Sequence, residues 1–167
     1  MEATRLLKRD HSRVKALFKK FEDLGAGAFV RKQDVFDQVY AELDIHARIE
    51  EEIFYPFVRE LSAELKEMIA ESIEEHGVMK RLLSELKSLK PDDERFDAKM
   101  SVLKENTLHH AVQEEEAKLF PLVHQRASAK QLEELGHKME ERKETLQKGW
   151  TGVVAEWFRT LWPATES

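Results

Sequence analysis

The chain has 167 residues and a mass of 19.6 kDa, with 27 Lys and Arg against 33 Asp and Glu, seven His and no Cys. That length suits one domain with a real core, the scarcity of Gly (six) and Pro (four) points to an all-helical protein, and the lack of Cys excludes disulfide scaffolds, Cys-ligated metal sites and thiol catalysis. A net charge of −6, with the Lys and Arg scattered among acids, argues against nucleic acid or an anionic membrane surface as partner, and no apolar run approaches a membrane span.

Five helical stretches follow from the punctuation. The first carries Leu7, Val14, Phe18 and Phe21 and stops at Gly25-Ala26-Gly27, where Gly is suited to the left-handed conformation past a helix end. The second runs from near Arg31 to about Glu60 and is striped by Phe36, Val39, Tyr40, Leu43, Ile53 and Phe54. Ser62 is a candidate N-cap for the third, which carries Leu65, Met68, Ile69, Met79, Leu83 and Leu86 and ends at Pro91-Asp92-Asp93. The fourth carries Phe96, Met100, Leu103, Ala117 and Phe120 and closes at Pro121. Pro56 and Pro121 are both placed near helix ends, because proline lacks the donor that a helix interior needs. A fifth helix spans about Lys130 to Lys148.

Four amphipathic helices with short connections bury their stripes most simply as an antiparallel up-down four-helix bundle. Residues 1–148 are therefore expected to form this bundle with its additional fifth helix, and 149–167 a short amphipathic tail. The tail places Trp150, Val153, Val154, Trp157, Phe158, Leu161 and Trp162 on one face, suited to docking on the bundle or on a second copy as a homo-oligomer. The opening MEATRLLKRDH has no apolar signal-peptide core, so a cytoplasmic location is expected.

The stripes are interrupted by the same residue types each time. Stepping back from Val14 gives His11; stepping on from Leu43 gives His46 and then Glu50; from Ile69, through Ser72 or Ile73, His76; from Leu103, through Thr107, His110 and then Glu114-Glu115-Glu116. An unpaired buried carboxylate costs several kcal/mol, so this set calls for a cation. The heights agree as well: His11 lies 16 residues before Gly27 and His46 lies 19 after it, while His76 and His110 stand 16 before and 18 after Asp92. At about 1.5 Å per residue these mismatches stay within about one turn, so four His reach one level of an antiparallel bundle. His46 and Glu50, at i and i+4, share a face. Mixed imidazole and carboxylate ligation suits iron, zinc or manganese. Six ligands exceed one tetrahedral zinc and suit two metals sharing carboxylates.

These residues resemble the hemerythrin-like HHE cation-binding domains. The resemblance covers roughly residues 3–147 and rests on LLKRDHSRVKALFKKFE, IHARIEEEIFYP, EEHGVMKRLL and LHHAVQEEEAKLFP. The family pattern is one His, a His–Glu pair, one His and a second His–carboxylate pair, met here by His11, His46 with Glu50, His76, and His110 with a following glutamate. The resemblance implies a four-helix bundle holding two iron ions as a non-haem di-iron centre, with bridging glutamates and a bridging oxo or hydroxo group. Plain helix geometry favours Glu114 as the last ligand. However, Glu115 precedes Pro121 by the same six residues that separate Glu50 from Pro56, and oxygen-carrying hemerythrins place this carboxylate five residues after the His, as a local bulge allows. Glu115 is taken as the ligand. Those hemerythrins also carry a second His one turn along the third helix, where this chain has Lys80. The departure implies one iron short of a His, with a position open to reaction rather than to reversible oxygen carriage.

The expected function is binding of, or reaction with, dioxygen, peroxide or nitric oxide, in sensing, storage or detoxification. A peroxidase or nitric-oxide-consuming enzyme is the alternative, and a structural metal-binding interaction bundle a further one. The remaining candidates read more plainly. His109 is packing or outer support and His124 and His137 are surface residues. Glu51, Glu52 and Glu116 are solvated helix charges, with Glu51 placed to orient a ligand His, and Tyr40 and Tyr55 are core aromatics.

Overall fold

The computed structural model describes residues 1–150, and the tail residues Val153, Val154, Trp157, Phe158, Leu161 and Trp162 lie outside the described residues. Five helical rods make up the described chain, with no strand among its residues. The first is α1 (Ala3–Glu22), and the second is α2 (Phe29–Ile49), which runs through a π-helical segment, Glu50–Phe54, into α3 (Tyr55–Val58). The third is α4 (Ala63–Lys87). The fourth is α5 (Glu94–Leu108), a longer π-helical segment, His109–Leu119, and α6 (Phe120–Arg126). The fifth is α7 (Ala129–Lys148).

Side chains define the rod ends. Ser62 accepts from the Leu65 amide, Asp93 from the Arg95 amide, and Ser128 and Gln131 close a capping box at the start of α7. The Gly25-Ala26-Gly27 turn does not use the left-handed backbone expected of it; neither glycine has φ in that region, and both face open space. Neither proline ends its rod. Pro56 and Pro121 sit in the first turn of α3 and α6, directly after the π segments, and the fourth rod continues to Arg126. In each case the residue before the proline bonds five residues back, Tyr55 to the Glu50 carbonyl and Phe120 to the Glu115 carbonyl. The wider π turn shifts the hydrogen-bond register just where the proline has no donor to offer. It also shifts the inward face: Leu119 is buried, whereas Ala117, expected on the stripe, is exposed.

α1 packs on α2 and on the fourth rod, α4 packs on α5, and α2 touches α4, so four rods surround a common interior. α7 lies against α1, α2 and the first π segment. Gly136 makes the closest of these approaches, since a Cβ there would stand 1.9 Å from the Met1 carbonyl oxygen. Trp150, just past α7, packs on Ala41 and Ile45 and meets the Tyr40 ring edge-on at 5.9 Å.

The apolar interior is split. One oily half gathers Leu6, Leu7, Ile49, Phe54, Ile69 and Phe120; the other gathers Val14, Phe18, Phe36, Leu43, Met79 and Leu103. On each of the first four rods the break between the halves falls at a histidine.

Candidate metal centre

The layer between the halves holds the six residues expected from the sequence. His11, His46, His76 and His110 are each at most 6% exposed, and Glu50 and Glu115 are wholly buried. α1, α2, α4 and the second π segment each deliver one imidazole, and each π segment delivers one glutamate. His46 and Glu50 meet at ordinary i, i+4 spacing. His110 and Glu115 are five apart and share a face because both lie within a π segment, whose turn is wider than that of an α-helix. Glu114 instead turns outward to Lys118, 2.8 Å away.

The two carboxylates stand between two pairs of imidazoles. Glu50 Oε1 is 3.3 Å from His46 Nε2, and its Oε2 is 3.2 Å from His76 Nε2. Glu115 Oε2 is 3.1 Å from His11 Nε2, and its Oε1 is 3.6 Å from His110 Nε2. The pairs match in geometry: His11 and His46 have ring centroids 4.9 Å apart at 67°, and His76 and His110 are 4.8 Å apart at 70°. Donor atoms of His11, His46, Glu50 and Glu115 all lie within 4.8 Å of one another, as do those of Glu50, His76 and His110.

Tyr55, expected to be a core aromatic, reaches the second group. Its hydroxyl donates to Glu115 Oε1 at 2.9 Å and stands 3.3 Å from Glu50 Oε2, 3.2 Å from His76 Nε2 and 3.4 Å from His110 Nε2. At the equivalent place in the first group, Phe120 stacks on His11 at 6.0 Å without a polar atom. Lys80 lies outside the cluster, with its ammonium 2.7 Å from both Glu51 oxygens.

Around the inner donors lies a second ring of carboxylates, each at an Nδ1. Glu116 is 2.7 Å from His11, Glu51 is 2.8 Å from His76, Glu75 is 2.5 Å from His110, and Asp10 is 3.5 Å from His46. Such partners place the Nδ1 proton outward and leave Nε2 as the inward lone pair, the tautomer a metal requires. Glu116 is therefore no solvated helix charge, and Asp10 and Glu75 were not anticipated. Their signal was present: Asp10 and Glu75 each precede a clustered His, and Glu51 and Glu116 each follow a clustered Glu. His109 and His137 are exposed, and the half-exposed His124 bonds Thr4 at 2.9 Å.

The charges respond strongly to this crowding. Burial opposes the charged form of His76, yet its bonds to Glu50 and Glu51 raise its pKa to about 9. Burial likewise opposes charge on His46, but Glu50 and Asp10 hold it well above the ordinary imidazole value. Burial would raise Glu50, and His46 and His76 instead pull it well below the usual carboxylate range. Burial, with Glu115 and Glu50 beside it, pushes the Tyr55 phenol well above its ordinary value.

The donor set fits a pair of metal ions. His11 Nε2, Glu50 Oε1 and Glu115 Oε2 are fully enclosed without a hydrogen-bond partner, although His11 Nε2 and Glu115 Oε2 are only 3.1 Å apart. Lone pairs that crowd together without aligning on one another leave a cation as the group that satisfies them. A small cavity of about 10 Å³, walled by Val14, Leu43, Met79 and Leu108, opens on His11, His46 and His110. That is about the space one water-sized molecule needs. A larger cleft of about 180 Å³ beside Phe18, Lys32 and Asp97 contains none of the clustered donors.

Known proteins bear on this geometry. The chain is 29% identical over 143 residues to a DNA nickase of a Nostoc species, matching 86% of this chain and 39% of that protein. It therefore spans well under half of that relative. It is 31% identical over 147 residues to an uncharacterised protein of Mycobacterium tuberculosis, with 88% of each chain covered. The crystal structure of a hemerythrin HHE cation binding domain-containing protein from Mycobacterium kansasii superposes with a TM-score of 0.76 at 29% identity, covering 96% of this chain and 93% of that one. The family model for the hemerythrin HHE cation binding domain matches residues 2–123, which include every clustered donor, and this chain belongs to that family.

Proposed function

We propose that this protein holds two iron ions and uses them to bind or react with dioxygen, peroxide or nitric oxide. One iron position is formed by His11, His46, Glu50 and Glu115, the other by His76, His110, Glu50, Glu115 and Tyr55. The observation that carries the reading is the sharing of both carboxylates. Each presents one oxygen to the first imidazole pair and one to the second, at 3.1 to 3.6 Å. A single-metal site has no use for that symmetry, whereas two cations held close together need bridging anions between them.

When bound, two ferrous ions supply two electrons to a small oxidant without leaving it a radical. The protein's own residues set the conditions. Glu51, Glu75 and Glu116 fix three imidazoles with Nε2 inward. The two oily halves exclude bulk water, and the cavity beside His11, His46 and His110 gives a small uncharged molecule room next to the cluster. Tyr55 offers an oxygen on the side where Lys80 turns away to Glu51, so the two positions differ in how many groups the protein brings to them.

An enzymatic reading, consuming peroxide or nitric oxide, draws support from the same cavity. The match to the nickase covers 39% of that protein, and a net charge of −6 on this chain disfavours a duplex as its partner.

Elemental analysis with anaerobic and aerobic absorption spectra tests the proposal. Two irons per chain and a near-ultraviolet band that appears on oxidation are expected. One zinc per chain, released together with the fold by a chelator, would replace this reading with the structural one. Stopped-flow mixing of the reduced protein with peroxide then separates a single stoichiometric oxidation from turnover.

A further inference from the structure

Three of the four imidazoles have Nδ1 within 2.8 Å of a carboxylate oxygen. His46 is the exception. Its Nδ1 stands 3.5 Å from Asp10 Oδ2, and neither atom makes a hydrogen bond although both are enclosed. Asp10 has a counterpart in Glu75, since each directly precedes a clustered His and serves the His of another rod. Aspartate is one methylene shorter and cannot reach as far. At that place α7 contributes a cation. Lys143 is 3% exposed and donates to Asp10 Oδ1 at 2.5 Å, while the ion pairs of Glu75 are to histidines alone among the described residues. α7 also lies beyond residues 2–123, the part matched by the family model.

We infer that Lys143 is a positioning residue for the metal position of His11 and His46: bonded to one oxygen of Asp10, it aims the other at His46 Nδ1 and so fixes that imidazole with Nε2 inward. The inference rests on the two-metal reading above. Its physical content is that a buried ammonium and a buried carboxylate hold each other in one geometry, which a short side chain alone would not keep. The fifth helix is then part of the metal centre and not only a cover for α1 and α2. The effect is one-sided, because Nδ1 of His76 and of His110 is held by Glu51 and Glu75.

Cobalt(II) titration with chelator competition tests this on the full chain and on K143M, D10N and E75Q. The wild-type protein is expected to bind two cobalt ions. K143M and D10N are each expected to weaken one of the two at least tenfold and leave the other within about twofold, in line with outer-ring substitutions that cost about 10–100-fold. The double variant K143M/D10N should be no weaker than the weaker single one, because both act through one contact. E75Q should weaken the other ion. If K143M does not fold, K143Q, which keeps a donor of similar reach without the charge, takes its place with the same expected outcomes. Equal weakening of both ions, with a lower melting temperature of the metal-free protein, would show a merely structural residue and overturn the inference. Unchanged binding of both would also overturn it. Fewer than two ions on the wild-type chain would overturn the two-metal reading and this inference with it.

Discussion

Replacing Tyr55 by Phe removes one oxygen and little volume from the most crowded point of the cluster. In the metal-free protein that hydroxyl donates to Glu115 Oε1 at 2.9 Å and is the only hydrogen-bond donor that oxygen has among the described residues. Leaving a buried acceptor without its partner costs about 1–3 kcal/mol, so Tyr55→Phe should destabilise the metal-free fold by about 2 kcal/mol. For a chain of this size that corresponds to a melting temperature lower by roughly 4–8 °C. The iron-loaded protein adds a sharper reading. If Tyr55 holds ferric iron through its phenolate oxygen, a broad charge-transfer band in the visible would result, which phenylalanine cannot give, so the variant should lack that band while retaining iron. Calorimetry of the metal-free protein and absorption spectra of the oxidised, iron-loaded protein measure the two effects independently. A variant with the wild-type melting temperature and the wild-type visible spectrum would refute both the hydrogen-bond assignment and the place of Tyr55 at the second iron.

Three further outcomes follow from the same geometry. Glu50→Ala should deplete both metals, because its two oxygens face different imidazole pairs, whereas His46→Ala should deplete one; plasma emission analysis that finds two irons in both variants would count against the ligand set. Gly136→Ala should cost about 1–3 kcal/mol by forcing α7 away from the Met1 carbonyl, read as a lower urea midpoint, and an unchanged midpoint would mean that the contact yields freely. pH should act oppositely on the metal-free and loaded proteins. The His76 pKa is raised on folding from 6.5 to about 9, so its contribution, of order 3 kcal/mol at most, is complete below about pH 6.5 and is lost as pH climbs to about 9. Glu50, held low, contributes above about pH 4.5 and loses that contribution on acidification. Metal must displace the His76 proton, so metal affinity should rise up to about pH 9, with protons released on binding at neutral pH; flat affinity between pH 7 and 9 would contradict this.

The level of the site was legible because helical rise is regular. Counting from the turns at Gly27 and Asp92 predicted that His11, His46, His76 and His110 share a depth, and they lie in one layer between two oily halves. What periodicity could not give was the phase after Glu50 and within His109–Leu119. A π turn leaves no composition signature of its own, so periodicity places Ala117 inward and not Leu119, and reads Pro121 as the close of a rod that runs on to Arg126. The one usable clue was the matched spacing of Glu50 to Pro56 and Glu115 to Pro121, which marks the two turns as the same device. Tyr55 escaped for a related reason: an aromatic before a proline reads as packing, and Phe120 at the matching place does only pack.

That matched device accounts for the asymmetry of the whole centre. Each half of the chain supplies an acid–His step on one rod, and a His followed by a Glu–Glu step and a π turn on the next. Repeated twice around one axis, this arrangement makes two nearly equal sets of donors, as the imidazole spacings of 4.9 and 4.8 Å attest. Two of the places where equality fails bear on the donors: Tyr55 against Phe120 on the inside, and Asp10 with Lys143 against Glu75 on the outside. The first gives one position an extra oxygen; the second ties the other position to a buried positive charge. On the proposed two-metal reading, that difference leaves one position better suited to keep its ligands and one better suited to leave room for a reactant. The cavity does not follow that division, since it opens on His11 and His46 of one position and on His110 of the other.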